Sequence, residues 1–320
     1  MIAKVELHVH LEGTAPPALI RRLARRNGLP VPEGVFADDG RFAYTDFLDF
    51  LETYDLAASV IRTGEDYRDV TYEYLTGCAR EGAVYVELIV SPDHAARVGL
   101  SGDEHLDGIG RGIDDARRDH GIEGRVVVTA VRNLGVERVV SVARYAAARP
   151  HPYVVGFNMA GDEANYPAGE FAEAFAIAAE AGLGCTVHAG EWDGPPSVRA
   201  ALELPVTRVG HGVRSVEDPA LVAELAEREV VLECCPTSNV VLGLFPSFEE
   251  HPLPRLREAG VKTTLGSDDP PYFGASIGGE YELCRERFGF DDEDLRGISR
   301  TAVEAAFCEE SLKERLIRRV

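Results

Sequence analysis

Eight short stretches rich in β-branched residues recur along the chain, and this rhythm restricts its fold more than any other feature. They are KVELHVH (4–10), VYVELIVSP (84–92), RVVVTAV (125–131) and YVVGFNMAG (153–161) in the first half. GCTVHAG (184–190), TRVGHG (207–212), VVLECCP (230–236) and KTTLGSDD (262–269) follow in the second. Between them lie stretches with helical spacing, such as EDYRDVTYEYLTGCAREG and GEFAEAFAIAAEAG, the latter closing on glycine as helices often do. Strands that alternate with helices make a parallel sheet, and eight such units close a (β/α)₈ TIM barrel. The α/β barrel is expected to occupy residues 1–320 as one domain, since no linker, low-complexity run or composition shift divides the 320 residues.

The spacing departs from the rhythm once. The gap between the first and second strands exceeds what one helix needs, and it contains YTDFLDFLETYDLAASVI (44–61). There Phe47, Phe50, Leu51 and Tyr54 fall at i, i+3, i+4 and i+7, one apolar face of a helix. Such a stripe usually packs onto the body of a protein. Here it follows the first strand on the rim where barrels carry their chemistry, so additional helices forming a lid over a pocket are expected.

Charge and cysteine usage narrow the function classes. A formal net charge of −21 repels phosphate backbones and anionic lipids, so neither nucleic acid nor a membrane surface is an expected partner. The opening MIAKVELHVH has no basic segment leading into an apolar one, and no uncharged apolar stretch reaches membrane-spanning length. Six cysteines show neither CxxC spacing nor disulfide-scaffold density. These features suit a cytoplasmic protein with reduced thiols. The sequence leaves the oligomeric state open, a homo-oligomer included.

The polar residues gather at the ends of the expected strands. His8 and His10 end the first, His188 and Glu191 the fifth, His211 the sixth, and the adjacent Asp268 and Asp269 the eighth. Positions i and i+2 on a strand point the same way, so His8 and His10 can both face the barrel axis. Two imidazoles from one strand, a third from the fifth and a carboxylate from the eighth offer nitrogen and oxygen ligands without thiolate. That set suits zinc, with iron or manganese as alternatives. A lone histidine at a strand end is ordinarily a hydrogen-bonded structural residue; four suitable residues on one rim are much harder to assign to chance. The other histidines (His94, His105, His120, His151, His251) fall in loops or helices and receive no chemistry. GIGRGI (108–113) lacks the strand that precedes a phosphate loop, and RRLARR (21–26) reads as a solvated helix face.

Six motifs in order carry a family resemblance: HVHLEG (8–13), MAGDE (159–163), HAGE (188–191), GHG (210–212), CPTSN (235–239) and SDDP (267–270). With ISRTAVEAAF (298–307) they run through nearly the whole chain, which resembles the adenosine and adenine deaminase family of metal-dependent amidohydrolases. The resemblance implies that His8, His10, His188 and Asp268 hold one zinc per chain, leaving a position for a water that ionises near neutrality. That water would attack C6 of a small 6-aminopurine. Glu191 would give a proton to N1, kept protonated by enclosure beside the purine. His211 would orient the attacking hydroxide, Asp269 would bond near N7, and the Gly161 amide would approach N3.

For the substrate, the resemblance implies a 6-aminopurine nucleoside. Adenosine stands first, because MAGDE looks like the nucleoside-deaminating branch and the Phe47, Phe50, Leu51 and Tyr54 face aligns with a segment covering its pocket. Glu12 stands where the adenosine branch commonly has the aspartate that contacts the 5′ side of the ribose. Glutamate there is familiar among enzymes acting on 6-aminodeoxyfutalosine, the second alternative, and on adenine, the third. A relative cleaving a non-purine amide or phosphoester would share the HxH strand and terminal aspartate but would not need the HAGE glutamate.

Overall fold

A computed structural model describes residues 2–320. Eight parallel strands follow one another around a barrel in chain order. They are β1 (Lys4–Glu6), β2 (Ala83–Val90), β3 (Glu123–Val131), β4 (Val154–Ala160), β5 (Gly184–Ala189), β6 (Arg208–His211), β7 (Val231–Cys234) and β8 (Lys262–Leu265). The strands are walled in on both sides, as a parallel barrel requires, and β2 is buried at every position. The barrel fold expected from the strand rhythm is the fold observed.

The first strand is shorter than the stretch 4–10 suggested, because its regular pairing ends at Glu6. Beyond it the chain pairs only by isolated bridges, Val9 with Asp268 and His10 with Ile89. The seam between the first and last strands therefore closes through the candidate site itself. His10 N donates to Asp268 O at 3.0 Å, and Asp268 N donates to His8 O at 3.2 Å. Below them Glu6, fully buried, accepts from both the amide and the hydroxyl of Ser267.

Three helices separate β1 from β2: α1 (Pro17–Arg26), α2 (Phe47–Ala58) and α3 (Gly64–Arg80). Asp46 caps α2 by accepting from Asp49 N, and Thr63 with Asp66 forms a capping box on α3. Two more helices follow β2, α4 (Pro92–Arg97) and α5 (Gly102–His120). GIGRGI lies inside α5, where a Cβ at Gly108 would stand 2.2 Å from Gly64 O. Its glycines serve close approach between α3 and α5. All six cysteines are free and buried, and among the described residues no helix is long and apolar enough to cross a membrane.

The barrel interior also carries charge. Arg208, from β6, is fully buried between Glu87 of β2 (Nη2 to Oε2, 2.7 Å) and Glu233 of β7 (Nε to Oε1, 2.6 Å). Its guanidinium lies 3.5 Å from the centre of the Phe307 ring. Glu233 turns its other oxygen to His8 Nδ1 at 2.8 Å.

Candidate active site

His8, His10, His188 and Asp268 offer one ligand atom each within 4.8 Å of one another. His10 Nε2 and His188 Nε2 are 3.1 Å apart, and Asp268 Oδ1 lies 3.4 Å from His10 Nε2 and 3.6 Å from His8 Nε2. Donors at about 2.0–2.1 Å from a tetrahedral ion stand roughly 3.3 Å apart, so this spacing fits one. His8 Nε2 is buried without a hydrogen-bond partner, a vacancy that an ion would fill.

A surrounding set of groups fixes the tautomers and aims. Glu233 accepts a hydrogen bond from His8 Nδ1, Asn158 Oδ1 lies 3.2 Å from His188 Nδ1, and Ser238 donates to Asp268 Oδ2 at 2.7 Å. Burial holds His10 neutral, with a pKa down to about 4, and holds His188 well below the usual imidazole range. His8 goes the other way: burial opposes its charge, but its hydrogen bonds to Asp268 and Glu233 raise its pKa to about 10, so it must shed a proton to bind an ion. His211, Cys235 and Asp268 form a second cluster. Burial pushes the Cys235 thiol far up, so it is a poor ligand, and the cluster borrows Asp268 from the first.

The donors open into a cavity of about 170 Å³ lined by His10, His188, Glu191, His211, Asp268 and Asp269. Phe47, Phe50, Leu51 and Tyr54 line it from α2, as the helical stripe suggested, and Gly161 lines it from the end of β4. Phe47 also touches the Trp192 ring, with centroids 4.5 Å apart, so α2 closes against the loop that carries Glu191.

Two acidic groups in this cavity are held away from ionisation. Burial, with Asp268 and then Glu163 as nearby negative charges, raises the Glu191 pKa well above the carboxylate range. Burial and the Asp268 charge raise Asp269 likewise. Asp268 goes the opposite way: burial opposes its charge, but the His8 hydrogen bond and the surrounding imidazoles hold it low. The adjacent acids thus separate into one ionised and one protonated group, the division a metal ligand and a substrate contact need. Asp269 Oδ1 is buried without a partner and packs so close to Gly13 that a Cβ there would stand 1.7 Å away. That contact accounts for the glycine of HVHLEG. His211 and Asp268 both hold left-handed backbone, at φ of 59° and 61°, a conformation costly for non-glycine residues and common at functional sites.

Glu12 is buried beside the cavity, accepting from Tyr54 Oη at 3.4 Å, Tyr67 Oη at 3.5 Å and Ser91 N at 3.3 Å. Of these partners, Tyr54 and Ser91 line the cavity.

Several site residues carried no sequence expectation. Glu163 is buried at the end of MAGDE and clamps the loop after β5. Its carboxylate accepts from the amides of Gly190 (2.5 Å), Glu191 (3.1 Å) and Trp192 (2.8 Å), and from Ser197 Oγ. Arg132, also buried, donates to His188 O at 2.6 Å. His94, from α4, lines the cavity mouth with Asp55 and Arg97; His94 Nε2 stands 2.7 Å from Asp55 Oδ1. A carboxylate two residues past MAG and a histidine after a strand-ending SPD were the available signals.

The profile of the adenosine deaminase family matches residues 3–320. The adenine deaminase of Agrobacterium fabrum is 47% identical over 320 residues, covering 100% of this chain and 98% of that protein. The adenine deaminase of Rhizobium rhizogenes is 49% identical, covering 100% and 99%. The crystal structure of adenine deaminase from Arthrobacter aurescens superimposes with a TM-score of 0.93 at 28% identity, covering 100% of this chain and 98% of that one. An amidohydrolase from Burkholderia ambifaria with bound zinc gives 0.88 at 28% identity, covering 98% and 88%. With motifs, barrel and donor set in agreement, the chain belongs to the adenosine deaminase family and is a hydrolytic purine deaminase.

Proposed function

We propose that the protein hydrolyses adenine to hypoxanthine and ammonia, with one zinc ion held by His8, His10, His188 and Asp268. The observation that carries this reading is the closed donor set beside a protonated Glu191 in a small cavity. Adenosine stood first from the motifs. Relatives 46–49% identical over essentially the whole chain, all bearing the name adenine deaminase, reverse that order. Cavity size points the same way: about 170 Å³ falls below the roughly 300–1,000 Å³ of pockets for drug-sized ligands and suits a bare base.

Bound zinc supplies a water that ionises near neutral pH. The chain's own groups do the rest. Phe47, Phe50, Leu51 and Tyr54 cover the purine and exclude bulk water. The Gly161 amide meets N3, and protonated Asp269 donates to N7. Glu191 gives its proton to N1 as hydroxide adds to C6. The amino group then takes up the proton of the new C6 hydroxyl and leaves as ammonia, C6 keeps the oxygen as a carbonyl, and Glu191 regains the proton released when the water ionised. His211 donates a hydrogen bond to the attacking oxygen.

Purified, zinc-loaded protein offered adenine, adenosine and 6-aminodeoxyfutalosine should release ammonia from adenine with a kcat/KM at least ~10²-fold above the others, within reach of a shape-selective pocket. Equal or faster release from either nucleoside overturns the adenine assignment. Absence of release from all three overturns the reaction.

A further inference from the structure

His211 sits at one end of a chain of directional hydrogen bonds that begins at a backbone amide. Leu253 N, whose proton is fixed by the peptide bond, donates to His251 Nδ1 at 3.2 Å. The proton of a neutral His251 must then lie on Nε2, which stands 3.1 Å from Asn239 Oδ1. With its oxygen so engaged, Asn239 presents its amide nitrogen to His211 Nδ1 at 3.2 Å. That nitrogen can only accept, so the remaining proton of a neutral His211 is on Nε2. His211 Nε2 faces the site, 3.6 Å from Glu191 Oε2.

The surroundings keep the chain in this one arrangement. His251 is 3% exposed and stands between aromatic rings, Phe245 edge-on at 5.1 Å and Phe288 stacked at 5.8 Å. Asn239 is fully buried and His211 nearly so. The Leu253 amide leaves no room for a second proton on His251 Nδ1, and the Asn239 amide leaves none on His211 Nδ1, so neither ring can become a cation without setting two donors face to face. Reversing any member would set two donors or two acceptors face to face in a dry interior, where a buried group left unpaired forfeits its whole solvation.

We infer that His251 and Asn239 are positioning residues that lock His211 in the Nε2–H tautomer, so that His211 meets the attacking oxygen as a hydrogen-bond donor and cannot take its proton as a base. The role in turnover rests on the proposed deamination; the tautomer does not. An imidazole fixed in the wrong tautomer costs a serine protease ~10⁴ in kcat, so such a lock is worth its buried polar groups.

The test is a nitrogen–proton correlation spectrum of histidine-labelled, zinc-loaded protein, with His211 and His251 assigned from H211Q and H251Q. Both rings should be protonated on Nε2 and bare on Nδ1 across about pH 6–8. A His211 protonated on Nδ1, or on both nitrogens, overturns the inference whatever the substrate proves to be. H251F, which cannot donate to Asn239, should mix the His211 tautomers and lower kcat at least ~10-fold at unchanged zinc content. H251Q, whose amide can repeat both hydrogen bonds, should recover most of that loss. H251F with an unaltered His211 spectrum and unaltered kcat also overturns it; should H251F not fold, the wild-type spectrum decides.

Discussion

Two buried ionic sets share the barrel interior and meet at Glu233, yet they are finished differently. In the first, Arg208 stands between Glu87 and Glu233 with its face on Phe307, and Tyr85, Thr186 and the Phe307 amide donate to the same carboxylates, so they are answered from within the protein. In the second, three imidazoles and a carboxylate converge, and His8 Nε2 and Asp269 Oδ1 are left without partners. Burial alone therefore does not mark a functional site. A balanced set holds strands in place, whereas a set with unfilled valences on one side reserves that side for something from outside. Glu233 belongs to both: Arg208 and the His8 hydrogen bond keep it ionised against burial, and it passes that fixed charge to a ligand imidazole.

The contrast breaks most sharply at the paired acids. Asp268→Ala should empty the metal site and abolish ammonia release, while Asp269→Ala should keep about one zinc per chain and still turn over poorly. Metal analysis beside rate measurement checks both; equal metal loss in the two variants would erase the distinction between them. Glu191→Gln comes next, lowering kcat about 10²–10⁴-fold at full metal occupancy, the range of general acid catalysis. Near-normal turnover would mean that another group supplies the proton.

On the balanced side, Arg208→Met strands two buried carboxylates and should cost about 3–5 kcal/mol of stability. A melting temperature lower by roughly 10 °C, with zinc still bound at permissive temperature, is the expected result. An unchanged melting curve would show that the ion pairs contribute nothing to the barrel. The smallest effect sharpens the comparison. Glu163→Gln turns an amide nitrogen against the loop amides, so kcat should fall about 10-fold in the wild type but hardly at all in the Glu191→Gln background. Equal losses in both backgrounds would make Glu163 a general structural support rather than a clamp on Glu191.

How much of this was legible depended on where each signal lay. The strands and the metal set were readable because both are local: β-branched runs show a strand, and His8 and His10 two apart show a shared face. The stripe of Phe47, Phe50, Leu51 and Tyr54 was readable for the same reason, one period on one helix. Glu163, Asn239 and His251 were not, because their meaning lies in partners 12 to 34 positions away on other elements. Arg208, Glu87 and Glu233 could have been noticed, since a charge inside an apolar strand must find a counter-charge somewhere in the interior. Glu12 was legible as a neighbour of the histidines, but its bonds to Tyr54 and Tyr67, 42 and 55 positions on, were not.

The seam between β1 and β8 carries a consequence for how the protein comes into being. Glu6 and Ser267, joined across it, are 261 positions apart, and the ligands His8 and Asp268 bracket the same join. A chain emerging from the ribosome presents His8 and His10 almost at once, but their fourth companion appears only when the last strand is made. Joining ends so distant demands the late, entropically costly step of folding. The full donor set of the proposed metal site thus exists only once the ring is closed. The short contact that completes the barrel is also the one that brings Asp268 to the histidines.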